Sequence, residues 1–239
     1  MQVSELPILW DLGQWSMIPT DISASAGEHE DFSEFSETRA LAARRLLHTG
    51  ELEAAWHMAQ GALEAARRGL QTDDLVNVLV TAMLVANAQN DPVARILCSE
   101  LDRMDRSGSI HRGRDLCLSD VVRQLLQDDE FALARRWLDV PHHGEKRIQL
   151  MVQTGRAALA EAEGHHDEAA QGYEQAIADW RTYGSVPEQF EALIGAARSK
   201  LNLGHQTAGE THLQAARNIA ARLASVPYLA RCDQLEVTH

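Results

Sequence analysis

The sequence predicts an all-α chain, a superhelical array of about five antiparallel helical hairpins closed by a C-terminal capping helix. Three observations carry this. First, the 239 residues are 45% hydrophobic but only 5% aromatic. Alanine, the best helix former, recurs throughout, whereas an all-β chain would favour β-branched and aromatic residues. Second, Gly184-Ser185-Val186-Pro187 returns as Ala224-Ser225-Val226-Pro227, and Gly164-His165 returns as Gly204-His205. Both pairs keep one interval of forty residues, the mark of a repeat architecture. Third, apolar and small residues spaced by three and four form paired stripes separated by short turns, which places each stripe on one helix face.

Residues 1–38 read as an acidic, partly apolar leader or linker, and residues 39–237 as the repeat domain. The leader holds Glu5, Asp11, Asp21, Glu28, Glu30, Asp31, Glu34 and Glu37 and no base. It therefore carries most of the net charge of −13. Its apolar cluster (Leu6, Ile8, Leu9, Trp10, Leu12, Trp15, Met17, Ile18) suits a segment that caps the next domain. It also suits a docking motif built on Trp10 and Trp15. The stretch 23–37 is polar and acidic enough for a flexible linker.

The first hairpin runs from Arg39 to Arg68, with Leu41, Ala42, Leu46 and Leu47 before a turn at Gly50. Leu52, Ala55, Ala59, Ala62 and Leu63 follow that turn. Gly50 supplies the left-handed helix stop. The second pairs Val76–Ala88 with Ala94, Leu97 and Leu101 across Asn90-Asp91-Pro92. The third pairs Leu116–Leu126 with Ala134, Trp137 and Leu138 across Asp128-Asp129-Glu130. The fourth turns at Gly164 and the fifth at Gly204. The small residue early in each second helix gives Ala55, Ala94, Ala134, Ala169 and Gly209, at steps of 39, 40, 35 and 40. Ser185 with Glu188 predicts a capping box, with Pro187 in the first turn. Ser225 and Pro227 start the last helix, Tyr228 to Val237, a solvating cap.

The run from Gly164 to Ile177, with Ala169, Tyr173 and Ala176, resembles the second half of a tetratricopeptide repeat (TPR); Gly50 to Leu63 is similar. The step near forty resembles the longer, MalT-like repeats of bacterial LuxR-type regulators and signal-transduction ATPases. So does the phrase running from Leu203-Gly204 through Leu213 and Ala216 to Val226-Pro227. The resemblance covers about residues 39–237. It implies a TPR-like α-solenoid whose first helices line a concave groove. It further implies a non-enzymatic scaffold or regulatory module that binds a peptide or protein partner. The alternative is a ligand-sensing domain with a small-molecule effector in a transcriptional or ATPase regulator. The ATPase and DNA-binding parts of such regulators have no counterpart here. Projecting the repeat pattern gives Arg44, Met83, Arg123, Ala158 and Arg198 at equivalent inward positions. The three arginines are either paired to neighbouring acids or set to recognise an anionic group on a ligand. The Val76–Ala88 helix, apolar on nearly every face, is either packed mid-array or forms a groove floor. Self-association is compatible with such an array.

Other chemistry is weakly signalled. Gly204 to Thr211 has P-loop spacing, but Glu210 stands where the lysine should be and would repel phosphate. The eleven histidines include His142-His143, His165-His166, His205 and His212, without metal-site spacing. No nucleophile elbow or acid pair emerges, so neither a cofactor nor a metal is expected and the chain reads as no enzyme; a metal-assisted enzyme, the lesser alternative, would need His or acid side chains converging from different hairpins. Its acidity argues against nucleic acid. The three cysteines, Cys98, Cys117 and Cys232, are odd in number and lack C-x-x-C spacing. With no basic n-region and only a short, polar-interrupted apolar stretch at Leu75–Ala88, they predict a soluble cytoplasmic protein away from membranes.

Overall fold

The computed structural model describes residues 5–21, 32–68, 72–108, 111–139 and 145–238. Among these residues every regular element is helical. After α1 (Leu6–Asp11) and a single 3-10 turn at Trp15–Met17 come α2 (Phe32–Thr49), α3 (Leu52–Arg68), α4 (Thr72–Ala88), α5 (Val93–Arg106) and α6 (His111–Gln127). Then follow α7 (Phe131–Asp139), α8 (Lys146–Ala162), α9 (His166–Tyr183), α10 (Val186–Asn202), α11 (Gln206–Arg222) and α12 (Val226–Thr238). The pairs α2–α3, α4–α5, α6–α7, α8–α9 and α10–α11 are the five expected hairpins, and α12 is the lone last helix. The array starts at Phe32, ahead of the expected Arg39. The acidic stretch is helical from there on, with Ser36 buried and the Arg39 guanidinium 4.2 Å from the centroid of Phe35. The rest of the expected linker, 22–31, and the His142-His143 pair lie outside the described residues.

The five hairpin turns share one backbone solution. Each holds a single residue of positive φ: Gly50, Asn90, Asp129, Gly164 and Gly204. Each following N–H reaches back five residues to a helix carbonyl: Glu51 to Leu46, Asp91 to Ala86, Glu130 to Leu125, His165 to Ala160 and His205 to Lys200, at 2.8–2.9 Å. This is the 6→1 bond of a Schellman stop, which satisfies a carbonyl the helix end would otherwise orphan. Asn and Asp take the glycine role in the two degenerate repeats because their short polar side chains tolerate that conformation. The same bond closes the turn before α12, from Ser225 to Ala220, where Ala224 has φ 50.

The chain divides into two compact units: Gln14–Asp120 with the leader up to Trp10, and Val121–His239 with Asp11–Gly13. In the first, α2 packs on α3 and α4, α3 on α4, and α4 on α5. Val76, Val78, Leu79, Val80, Ala82, Met83, Val85 and Ala86 of α4 are all fully buried, and Asn77, Leu84 and Ala88 mark its more exposed side. In the second, α8 packs on α7, α9 and α10, α10 packs on α9 and α11, and α11 on α12. Within each unit a first helix also meets the next first helix, α2 with α4 and α8 with α10. The repeat markers Ala55, Ala94, Ala134, Ala169 and Gly209 are all buried. Their smallness sets how closely the helices approach: a β-carbon on Gly209 would lie 2.6 Å from Leu201 Cγ, and one on Gly155 2.6 Å from Leu138 Cδ2. All three cysteines are free thiols and buried.

Candidate functional site

The expected inward positions sort into three kinds. Met83 is a correction: it is fully buried in the first unit and lines no surface. The apolar run of α4 that suggested a groove floor instead packs against neighbouring helices over most of its surface. Ala158 is half-buried on α8. The three arginines each have acidic partners. Arg44 on α2 donates from Nε to Thr81 Oγ1 on α4 (3.0 Å) and pairs through Nη1 with Asp120 Oδ2 on α6 (2.9 Å).

In the second unit the pairs form a series. Arg123 on α6 holds Glu188 on α10 with both terminal nitrogens, at 3.0 and 3.3 Å. Arg198 on α10 grips Glu161 on α8 through Nε and through Nη2, the latter at 2.8 Å. Arg231 on α12 takes both oxygens of Glu191 on α10, at 2.6 and 2.8 Å. Two of these run from one first helix back to the preceding one. Bidentate pairing fixes geometry as well as charge. Aromatic rings complete the series. Tyr173 donates its hydroxyl to Glu161 Oε2 at 2.8 Å. Phe190 and Tyr228 stack at 3.7 Å, with the Arg231 guanidinium 5.3 Å from Phe190. Burial, together with the charge of Glu161, pushes the Tyr173 phenol well above its ordinary value; burial and Glu191 do the same for Tyr228. Glu161, Glu191 and Arg231 escaped the sequence reading, and Glu188 entered it only as half of a capping box. The usable signal was an acid one repeat length upstream of an arginine, as Glu161 stands to Arg198 and Glu191 to Arg231.

The leader is seated on the repeats. In the first unit Trp10 and Trp15 stack at 4.5 Å, and both rings meet His48 of α2. Trp15 Nε1 donates to the Trp10 carbonyl at 2.9 Å, and Arg45 donates to the Ile18 carbonyl. Trp15 is 4% exposed and Ile18 is fully buried. Of the two rings expected to form a docking face, Trp15 is turned inward against α2 and Trp10 stays half-buried. Ile8, Leu12 and Met17 are the exposed apolar residues of the leader.

In the second unit Asp11 accepts from Arg147 of α8 on one oxygen and from the Ser185 hydroxyl on the other, at 3.1 Å. Burial would lower the Arg147 pKa, but attraction to Asp11 and Glu188 and the Asp11 hydrogen bond raise it, so the guanidinium is charged. Gly13 has φ 70, and a β-carbon there would lie 2.7 Å from Leu223 Cδ2 and 3.3 Å from Val186. The expected capping box at Ser185 does not form: Ser185 makes no side-chain bond to its helix, and Glu188 is taken by Arg123. Forty residues on, Ser225 does cap, accepting from the Tyr228 N–H at 3.3 Å.

The P-loop-like spacing at Gly204 falls on a hairpin turn and the first turns of α11. Among the described residues no group of three or more His, Cys, Asp or Glu is placed to hold a metal ion, and no helix is long and apolar enough to cross a membrane.

Among solved structures, the chain is similar to the TPR-like repeats of a protein described as a kinesin light chain from Podospora anserina. The TM-score is 0.51 at 17% identity, over 81% of this chain and 98% of that one. At that identity the likeness speaks for the fold, which is TPR-like. No protein-family description matches the chain, and no curated protein sequence matches it.

Proposed function

We propose that the chain is a non-enzymatic interaction module that binds a peptide or protein segment against the first helices of its repeats. One observation carries the reading: the second unit already holds a short, sequence-remote segment, Asp11–Gly13, through side chains of α8, α10 and the α11–α12 turn. TPR-like hairpins present successive helices as a continuous surface, and such a surface suits extended segments better than compact ligands. The forty-residue step and the repeated Ser-Val-Pro phrase support a place among MalT-like regulators of the bacterial cytoplasm. The arginines act in this reading mainly as organisers of the first helices, since each is engaged by acids of the array.

The experiment is site-specific photo-crosslinking. A photoreactive residue at Ala158, on first helix α8, is compared with one at Gln171, exposed on second helix α9. A partner captured at Ala158 and not at Gln171 is the expected result. Equal capture at both, or capture at Gln171 alone, would place the binding surface elsewhere and sink the proposal.

A further inference from the structure

The arginines of the second unit differ in where their carboxylates come from. Arg123, Arg198 and Arg231 take acids from α8 and α10. Arg147 takes its acid from the leader, more than a hundred residues away in sequence. Ser185 is diverted too. Its hydroxyl opens α10, where its counterpart Ser225 caps α12, yet it donates to Asp11. Two donors thus converge on one carboxylate, one per oxygen, beside a helix start whose dipole favours negative charge. Two residues further, Val186 and Leu223 close over Gly13 and leave no room for a side chain, and its positive φ adds a second reason for glycine. Leu12 between them is 49% exposed and is not read.

We propose that Arg147, Ser185, Val186 and Leu223 form a recognition site for an Asp-x-Gly segment, filled in cis by Asp11–Gly13. The partner then competes for it with a peptide of the same chemistry, an acid followed two residues later by glycine. This rests on the reading of the chain as a peptide-binding module and names the peptide. The occupant is exchangeable on physical grounds. The Arg147–Asp11 side chains are 27% and 24% exposed, so the pair is weakened by water and salt. Occupancy in cis depends on the local concentration that covalent attachment gives the Asp11–Gly13 segment.

The test uses the full chain and a labelled synthetic peptide of residues 5–21. Asp11→Ala removes the tethered copy's carboxylate and so weakens its competition, and the peptide binds this variant about tenfold tighter than wild type. Adding Arg147→Ala, or replacing the peptide's aspartate by asparagine, removes the gain. Equal affinity for wild type and Asp11→Ala, or a gain insensitive to Arg147, overturns the proposal. A measurement on wild type alone covers the case where the variants do not fold. In hydrogen exchange, excess peptide speeds exchange at the amides of residues 11–15, and the asparagine peptide does not. Unchanged exchange with both peptides overturns the proposal equally. Ala158 cross-linking to a partner that survives these failures would leave the interaction module standing without this site.

Discussion

A β-carbon on Gly195 would lie 2.2 Å from Tyr173 Cζ, so the tyrosine ring of α9 fills the space that a larger residue on α10 would need. The ring is buried, and its hydroxyl reaches the carboxylate that Arg198 holds. Gly195→Ala must push the ring away from Glu161. It should destabilise the chain by about 1–3 kcal/mol, the usual scale of overpacking. Denaturant unfolding measures this, and an unchanged midpoint would show that the ring has slack.

Arg123 and Glu188 should behave as a unit. Glu188→Ala leaves a partly buried guanidinium without its bidentate partner, at a cost of about 1–3 kcal/mol. The double variant with Arg123→Ala should cost less than the two single losses together, because the second change removes the stranded charge. Strict additivity in a double-mutant cycle would contradict the pairing.

Ala224 holds φ 50 without being glycine. Left-handed backbone costs an L-residue roughly 1–2 kcal/mol, part of which Gly would return to the unfolded state as entropy. Ala224→Gly is therefore expected to raise the melting temperature slightly. Gly184→Ala, one repeat earlier at φ 96, should lower it. Opposite signs in the two melts are the result to look for.

Alkaline pH should weaken the fold through Tyr173 and Tyr228. Burial, then a nearby glutamate, raises both phenols above their usual 10.0. Unfolded chains lose these protons from about pH 10 upward while the folded chain keeps them. The stabilisation is thus complete below pH 10 and declines as pH rises beyond it. Absorbance titration of phenolate alongside unfolding should show these two ionising with loss of structure; reversible ionisation in the folded state near pH 10 would refute the burial argument.

The hairpins were legible because their determinants are local. Gly50, Gly164 and Gly204 mark turns, and Ala55, Ala94, Ala134, Ala169 and Gly209 mark close approaches at a steady interval. A turn needs only a residue that tolerates positive φ, which a sequence displays directly. Met83 was misplaced because repeat register fixes a position on a helix but not how many neighbours cover it, and Met83 falls on the covered side of α4. Ser185 was misread for a related reason. Its capping box is a local rule, and remote partners, Asp11 and Arg123, won both side chains. The leader's seat was illegible since nothing within residues 5–21 states which surface will receive them.

The burial of Cys98, Cys117 and Cys232 gives the molecule built-in clocks. A thiol reagent can reach them only during an opening, so labelling rates count excursions rather than exposure. Cys98 and Cys117 lie in the first compact unit and Cys232 in the second. Timing their modification by mass spectrometry would tell whether the two halves breathe together or apart, with no substitution introduced.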